Sequence, residues 1–132
     1  MAGGLPHGIS PLDNVIKECQ EEASVPASLA AAALATGAVS YECAIPEGLK
    51  RDVLLCFDLA VPADFVPVPA DGEVEEFFRW PVAKVAQVVR DTFEYKPNCN
   101  LVITDFLVRR GLIAPGRGYL ALLAGLRAAE IS

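Results

Sequence analysis

Three glutamates stand close together in the run Lys17-Glu18-Cys19-Gln20-Glu21-Glu22. On a helix, Glu18, Glu21 and Glu22 occupy positions i, i+3 and i+4, so their carboxylates leave from one face. Like charges at that spacing repel, and the helix gains nothing from them unless something positive sits between. A hard divalent cation meets that need. Mg²⁺ takes oxygen ligands, keeps part of its water shell and shares its remaining positions with substrate phosphates. Ahead of the run lies the loop Gly3-Gly4-Leu5-Pro6-His7-Gly8. Its glycines let backbone approach closely at a helix entrance, where N–H groups face an anion. Taken singly, both features are weak. Glutamates on a helix are more often a solvated face than a metal site, and a glycine loop alone specifies little.

The elements that must position these residues follow from local signals. Ser10 is a good N-cap, Pro11 suits the first helical position and Asp13 favours the positive end of the dipole, so a helix is expected over 11–23. Leu12, Val15 or Ile16, Cys19 and Ala23 supply its buried stripe. Pro26 ends any continuation, and residues 27–34 have the propensity for a second short helix stopped by Gly37. Beyond it, 38–43 and 52–61 are β-rich and read as an antiparallel pair. The second is apolar almost throughout, as in a central strand covered on both faces. A proline-rich loop with Asp71-Gly72 leads to a third expected strand at 74–80, and helices are expected at 82–92, 98–110 and 119–129. The order is that of a mixed α/β fold.

Composition bounds the function. The chain has 132 residues, and 11 Lys and Arg against 17 Asp and Glu leave a net charge of −6. That balance opposes nucleic-acid binding, which needs surplus cations. Hydrophobic residues make up 53%, too many for a disordered chain, but much of that is alanine, which buries little area. Cys19, Cys43, Cys56 and Cys99 are scattered without a CxxC pair and read as reduced thiols of an intracellular protein. No apolar run reaches the roughly 18 uninterrupted residues of a membrane span, and no secretion signal or transit peptide is visible. A soluble, cytoplasmic protein without membrane partners is the expectation, plastidial where a transit segment precedes this sequence.

The string at fixed spacing resembles the Nudix box. Gly3 takes its first glycine, Glu18 the glutamate after the arginine, Cys19 the apolar place, Glu21 and Glu22 the glutamate pair, and Val25 the closing apolar residue. Three positions depart from it: Ile9 stands where the first glutamate belongs, Lys17 replaces the arginine, and Ser24 replaces the last glycine. The blocks AGGLPHGIS, NVIKECQEEA, GAVSYE, KRDVLLCFDL, DGEVEEFF and LVITDFLVRRGLI resemble one subgroup of the Nudix hydrolases. That subgroup includes plant members and the Nudix part of fungal thiamine pyrophosphokinase fusions.

The resemblance implies an α/β/α sandwich with a mixed sheet, and an enzyme that hydrolyses an organic diphosphate with Mg²⁺ or Mn²⁺. It points first to damaged oxo or oxy forms of thiamine diphosphate. An 8-oxo-dGDP phosphatase and a non-catalytic binding module are the alternatives. Glu18 and Glu22 are then expected as metal ligands, Glu21 as a ligand or as the base that orients water, and Lys17 as an electrostatic support for a carboxylate. Gly3 and Gly4 are expected against substrate, and Glu76, with Glu73 beside it, as a further carboxylate facing the metal. His7 reads as a surface residue, Phe77, Phe78 and Trp80 as core rather than stacking platforms, and Lys50-Arg51-Asp52 as a turn with a salt link. The family's sheet begins with strands ahead of the glycine loop. One N-terminally truncated domain over 1–132 is therefore expected, with an exposed edge at 52–61 and room for a homodimer.

Overall fold

The computed structural model describes residues 1–131 and is mixed helix and strand, in the order α1 (Pro11–Ala23), α2 (Ala27–Ala30), β1 (Leu34–Ile45), β2 (Gly48–Asp58), α3 (Val82–Asp91), α4 (Pro97–Arg109), α5 (Tyr119–Gly125) and β3 (Ala129–Ile131). Its contacts divide into two compact units, one of residues 1–36 and 57–79, the other of 37–56 and 80–132.

In the first unit α1 begins as its sequence dictates. The Ser10 side chain accepts from the Asp13 N–H at 3.1 Å, and Pro11 fills the first helical position. Cys19, Ala23, Val25 and Ala30 form the core, with Val15, Ile16, Leu29, Leu59, Phe65 and Phe77 packed against it. Leu12 belongs to the expected buried stripe but is exposed, because it lies in the first turn, beyond the reach of that cluster. The short second helix stops at Ala30 rather than reaching Leu34. Helix-forming alanines here yield to pairing, since β1 starts at Leu34. No strand forms at 74–80. A strand needs a ladder partner, and the three strands of the sheet lie elsewhere in the chain.

The second unit carries the sheet, in the order β2-β1-β3. The two-residue connection Pro46-Glu47 makes β1 and β2 antiparallel. Counting away from that turn sets Glu42 opposite Arg51 and Tyr41 opposite Asp52. Side-chain contacts of 2.8 and 2.6 Å join those pairs. β3 runs parallel to β1, with Tyr41 beside Ala129 and Cys43 beside Ile131, so the sheet is mixed. β3 replaces the end of the expected helix 119–129: α5 closes at Gly125, and the chain then extends to pair with β1.

Two further expectations change. Gly37 is not a helix stop but lies inside β1 at φ 134°, a conformation that a side chain disfavours. β1, not β2, is the middle strand. β2 lies at the sheet edge, as the expected edge at 52–61 requires, but it is not covered on both faces. Val53 and Leu55 are 66% and 51% exposed, whereas Leu54 and Cys56 face a cluster with Val39, Leu101, Val102, Val108 and Leu126. Among the described residues, the largest fully buried side chains are Val25 and Val39, as an alanine-rich composition foretells.

Candidate active site

All of the expected site residues fall in the first unit. The face of α1 that carries them is set by the 3.6-residue repeat. Asn14, Glu18 and Glu22 are spaced i, i+4, i+8 and form one stripe, and Glu21 lies to its side. The three acids differ widely in burial, and one is buried to a degree unusual for a carboxylate. Glu21 is half exposed, the Glu18 side chain is 17% exposed, and Glu22 is buried at 7%.

Glu18 meets the glycine loop. A Cβ built on Gly3 would lie 2.2 Å from the Glu18 carboxyl carbon. Only glycine lets the backbone come this close, which gives the first glycine of the run a physical reason. Gly4, whose carbonyl accepts from Asn14 Nδ2 at 3.2 Å, has open space where a Cβ would stand. Lys17 lies between two acids, its Nζ 3.5 Å from Glu18 and 3.6 Å from Glu21. Those distances are electrostatic contacts rather than a bidentate fork, as lysine in place of arginine implies.

Glu22 holds its proton more tightly than an ordinary glutamate. Burial is the main cause, and the negative charges of Glu18, Asp71 and Glu73 add to it, partly offset by the Met1 ammonium. The charges of two loop carboxylates reach Glu22 on α1. They are Asp71 and Glu73, whose N–H bonds Asp71 Oδ1 at 3.0 Å. Glu76 is exposed two residues beyond Val74. Burial also raises the thiol of Cys19, which packs in the core.

The helix ends where the box pattern asks for glycine. Ser24 adopts the left-handed conformation at φ 55°, its N–H bonding Gln20 and that of Val25 bonding Cys19. Its hydroxyl donates to the Val68 carbonyl at 2.9 Å, and the Val68 N–H returns to Ala23 at 3.1 Å. Serine thus accepts a strained backbone and uses its side chain to pin the loop behind the acidic face.

Other candidates sort differently. His7 is exposed in the loop. Phe77 packs on the core, but Phe78 is 67% exposed, and the Trp80 ring lies under the Lys84 ammonium at 3.9 Å. Lys50 and Asp52 form the expected salt link at 3.0 Å, though within strand β2 rather than in a turn. Tyr41 completes that link, holding Asp52 below the usual carboxylate range. All four cysteines are free thiols, Cys19 and Cys56 buried.

No family model matches the chain. It is 53% identical over 133 residues to Nudix hydrolase 20, chloroplastic, of Arabidopsis thaliana, covering 100% of this chain and 36% of that protein. Nudix hydrolase 24, chloroplastic, of the same plant matches at the same identity and coverage. The chain belongs to the Nudix hydrolase family. A further relative, the uncharacterized protein YJR142W of Saccharomyces cerevisiae, is 35% identical over 127 residues, 87% of this chain and 37% of its own length. The chain thus spans little more than a third of the length of these relatives.

Among the described residues, no group of three or more His, Cys, Asp or Glu side chains is placed to hold a metal ion. The acids of the Nudix face nevertheless suit a hard cation. They offer oxygen only, they repel one another around a buried Glu22, and an ion that keeps its own water needs few protein ligands. Among the described residues, no helix is long and apolar enough to cross a membrane.

Proposed function

We propose that this chain carries the hydrolytic site of a Nudix enzyme that releases phosphate from an organic diphosphate with Mg²⁺ or Mn²⁺. Damaged thiamine diphosphate of the oxo or oxy type is the substrate class. The observation that carries the reading is the stripe of Glu18 and Glu22, with Gly3 pressed on Glu18 and the charges of Asp71 and Glu73 acting on a buried Glu22. A cluster of acids kept at the expense of mutual repulsion is explained by a positive ligand. The subgroup resemblance supplies the thiamine assignment and the finer α/β/α sandwich.

Glu18 and Glu22 would hold the cation from one side of α1. Glu76 stands in reserve on the loop, with Asp71 and Glu73 nearer to Glu22. Once bound, the ion would neutralise the diphosphate oxygens and make water a stronger nucleophile. Glu21, half exposed and beside Lys17, meets solvent and is suited to orient the attacking water and accept its proton. Lys17 lies between Glu18 and Glu21 and offsets part of their mutual repulsion. Gly3 and Gly4 present backbone without side chains to the diphosphate. The names of the two Arabidopsis relatives carry the word chloroplastic, and we place the whole protein in the plastid on that ground.

The test is phosphate release with Mn²⁺ from oxothiamine diphosphate, intact thiamine diphosphate and 8-oxo-dGDP side by side. Fastest turnover of oxothiamine diphosphate supports the assignment. Preference for 8-oxo-dGDP would move the function to nucleotide sanitising. No release from any of them, with tight binding of one, would make this a binding module, a reading that the departures at Ile9, Lys17 and Ser24 favour.

A further inference from the structure

One polar residue of the Nudix helix has no place in the box pattern. Asn14 is 6% exposed, on a stripe with Glu18 and Glu22 one and two turns further on. Its Nδ2 donates to the Gly4 carbonyl at 3.2 Å, across ten residues of chain. Its Oδ1 is buried and has no hydrogen-bond partner among the described residues. The neighbouring Gly3 is the residue whose backbone abuts the Glu18 carboxylate. Ile9, where the pattern has an acid, offers no polar group with which to tie the loop down.

We propose that Asn14 is a positioning residue: through Gly4 it holds the Gly3 backbone against the Glu18 carboxylate and so sets the acidic stripe for its cation. The inference rests on the metal-dependent reading above. Its strength lies in the orphaned oxygen. A buried acceptor without a donor costs stability, and leucine, similar in shape, would remove that cost. An amide retained there at a loss to the fold is explained by what its other end does. That end fixes a glycine loop in which every residue from 1 to 10 is exposed. An outer residue that orients a ligand without touching the ion acts in this way in metal sites generally.

The test compares this chain as wild type, Asn14→Leu and Asn14→Ala. Without metal, heteronuclear NOEs of the Gly3 and Gly4 amides report whether the loop is held. Electron paramagnetic resonance then measures Mn²⁺ binding, and thermal melting reports the fold. Both variants are expected to lose the Gly3 and Gly4 NOEs and to bind Mn²⁺ about tenfold more weakly, with the leucine variant melting no lower than wild type. In turnover, kcat should fall and KM should rise together, because the loosened Gly3 and Gly4 backbone is also the part that faces the diphosphate. Unchanged NOEs and Mn²⁺ affinity in a folded variant would overturn the proposal. So would a lower melting temperature as the sole effect, the mark of a merely structural amide. A wild type that fails to bind Mn²⁺, while the variants still loosen the loop, would sink the metal reading and leave the tie standing.

Discussion

Glu22 shows how one carboxylate couples the fold to the proposed chemistry. Burial and neighbouring acids raise its pKa, so the folded state binds a proton that the unfolded chain has already released. Stability of the metal-free protein therefore declines as pH rises from the ordinary value of 4.5 through the raised folded value, and the deficit is constant above it. Glu22→Gln should flatten that decline in EDTA and raise the melting temperature at neutral pH; a variant that melts with the wild-type pH dependence would contradict the assignment of burial. Ser24 offers a second residue-scale test. Ser24→Ala keeps the left-handed strain but loses the bond to Val68, so it should cost about 1 kcal/mol in denaturant titration. Ser24→Gly relieves the strain while losing the same bond and should cost less. The acids at 18, 21 and 22 were legible because helical spacing alone gathers them. Asn14 was not, because an asparagine on a helix reads as a solvated residue until Gly4 is seen beneath it.

Among the elements, α1 was read to the residue because its limits are chemical: a serine cap, a proline at the first position and a left-handed residue after the last. The sheet was read less well. Leu34 to Thr36 follow a run of alanines, and helix propensity is the stronger local signal there; pairing with the rest of β1 overrides it. Ala129-Glu130-Ile131 has poor strand propensity and exists as β3 only because β1 offers an edge. The apolar run in β2 looked like a strand covered twice, yet one of its faces is open at Val53 and Leu55. Periodicity cannot tell a covered face from an exposed one. The link from α4 to the segment after α5 gives a prediction at this scale. Asp105, 2% exposed, takes Arg109 at 2.9 Å and Arg127 at 3.4 Å. Asp105→Asn should destabilise by about 2 kcal/mol, read by urea titration, with Mn²⁺ affinity unchanged because the acidic stripe belongs to the other unit. A loss of Mn²⁺ binding in a folded variant would contradict that separation.

At the scale of the whole molecule, two features pull in one direction. The cores are built from small residues, with Val25 and Val39 the largest fully buried side chains among those described, and the net charge of −6 is partly gathered on one helix face. On the proposed reading, metal binding would relieve the second cost. By mass action, Mn²⁺ at 100 times its Kd should stabilise the chain by about 2.7 kcal/mol, and this gain should vanish in Glu22→Gln. A rise of melting temperature equal in both proteins would mean that the cation binds elsewhere. On the proposed reading, part of the acidic balance that argues against nucleic acid would serve to bind a cation. The family was legible from the box and from blocks spread over most of the chain, whereas the substrate rests on residues that no spacing rule identifies. The most direct measurement is the release of phosphate from oxothiamine diphosphate in Mn²⁺ by wild type and Glu22→Gln. Turnover in the wild type that falls at least about 100-fold in the variant is the result predicted here; equal rates in two folded proteins would contradict it.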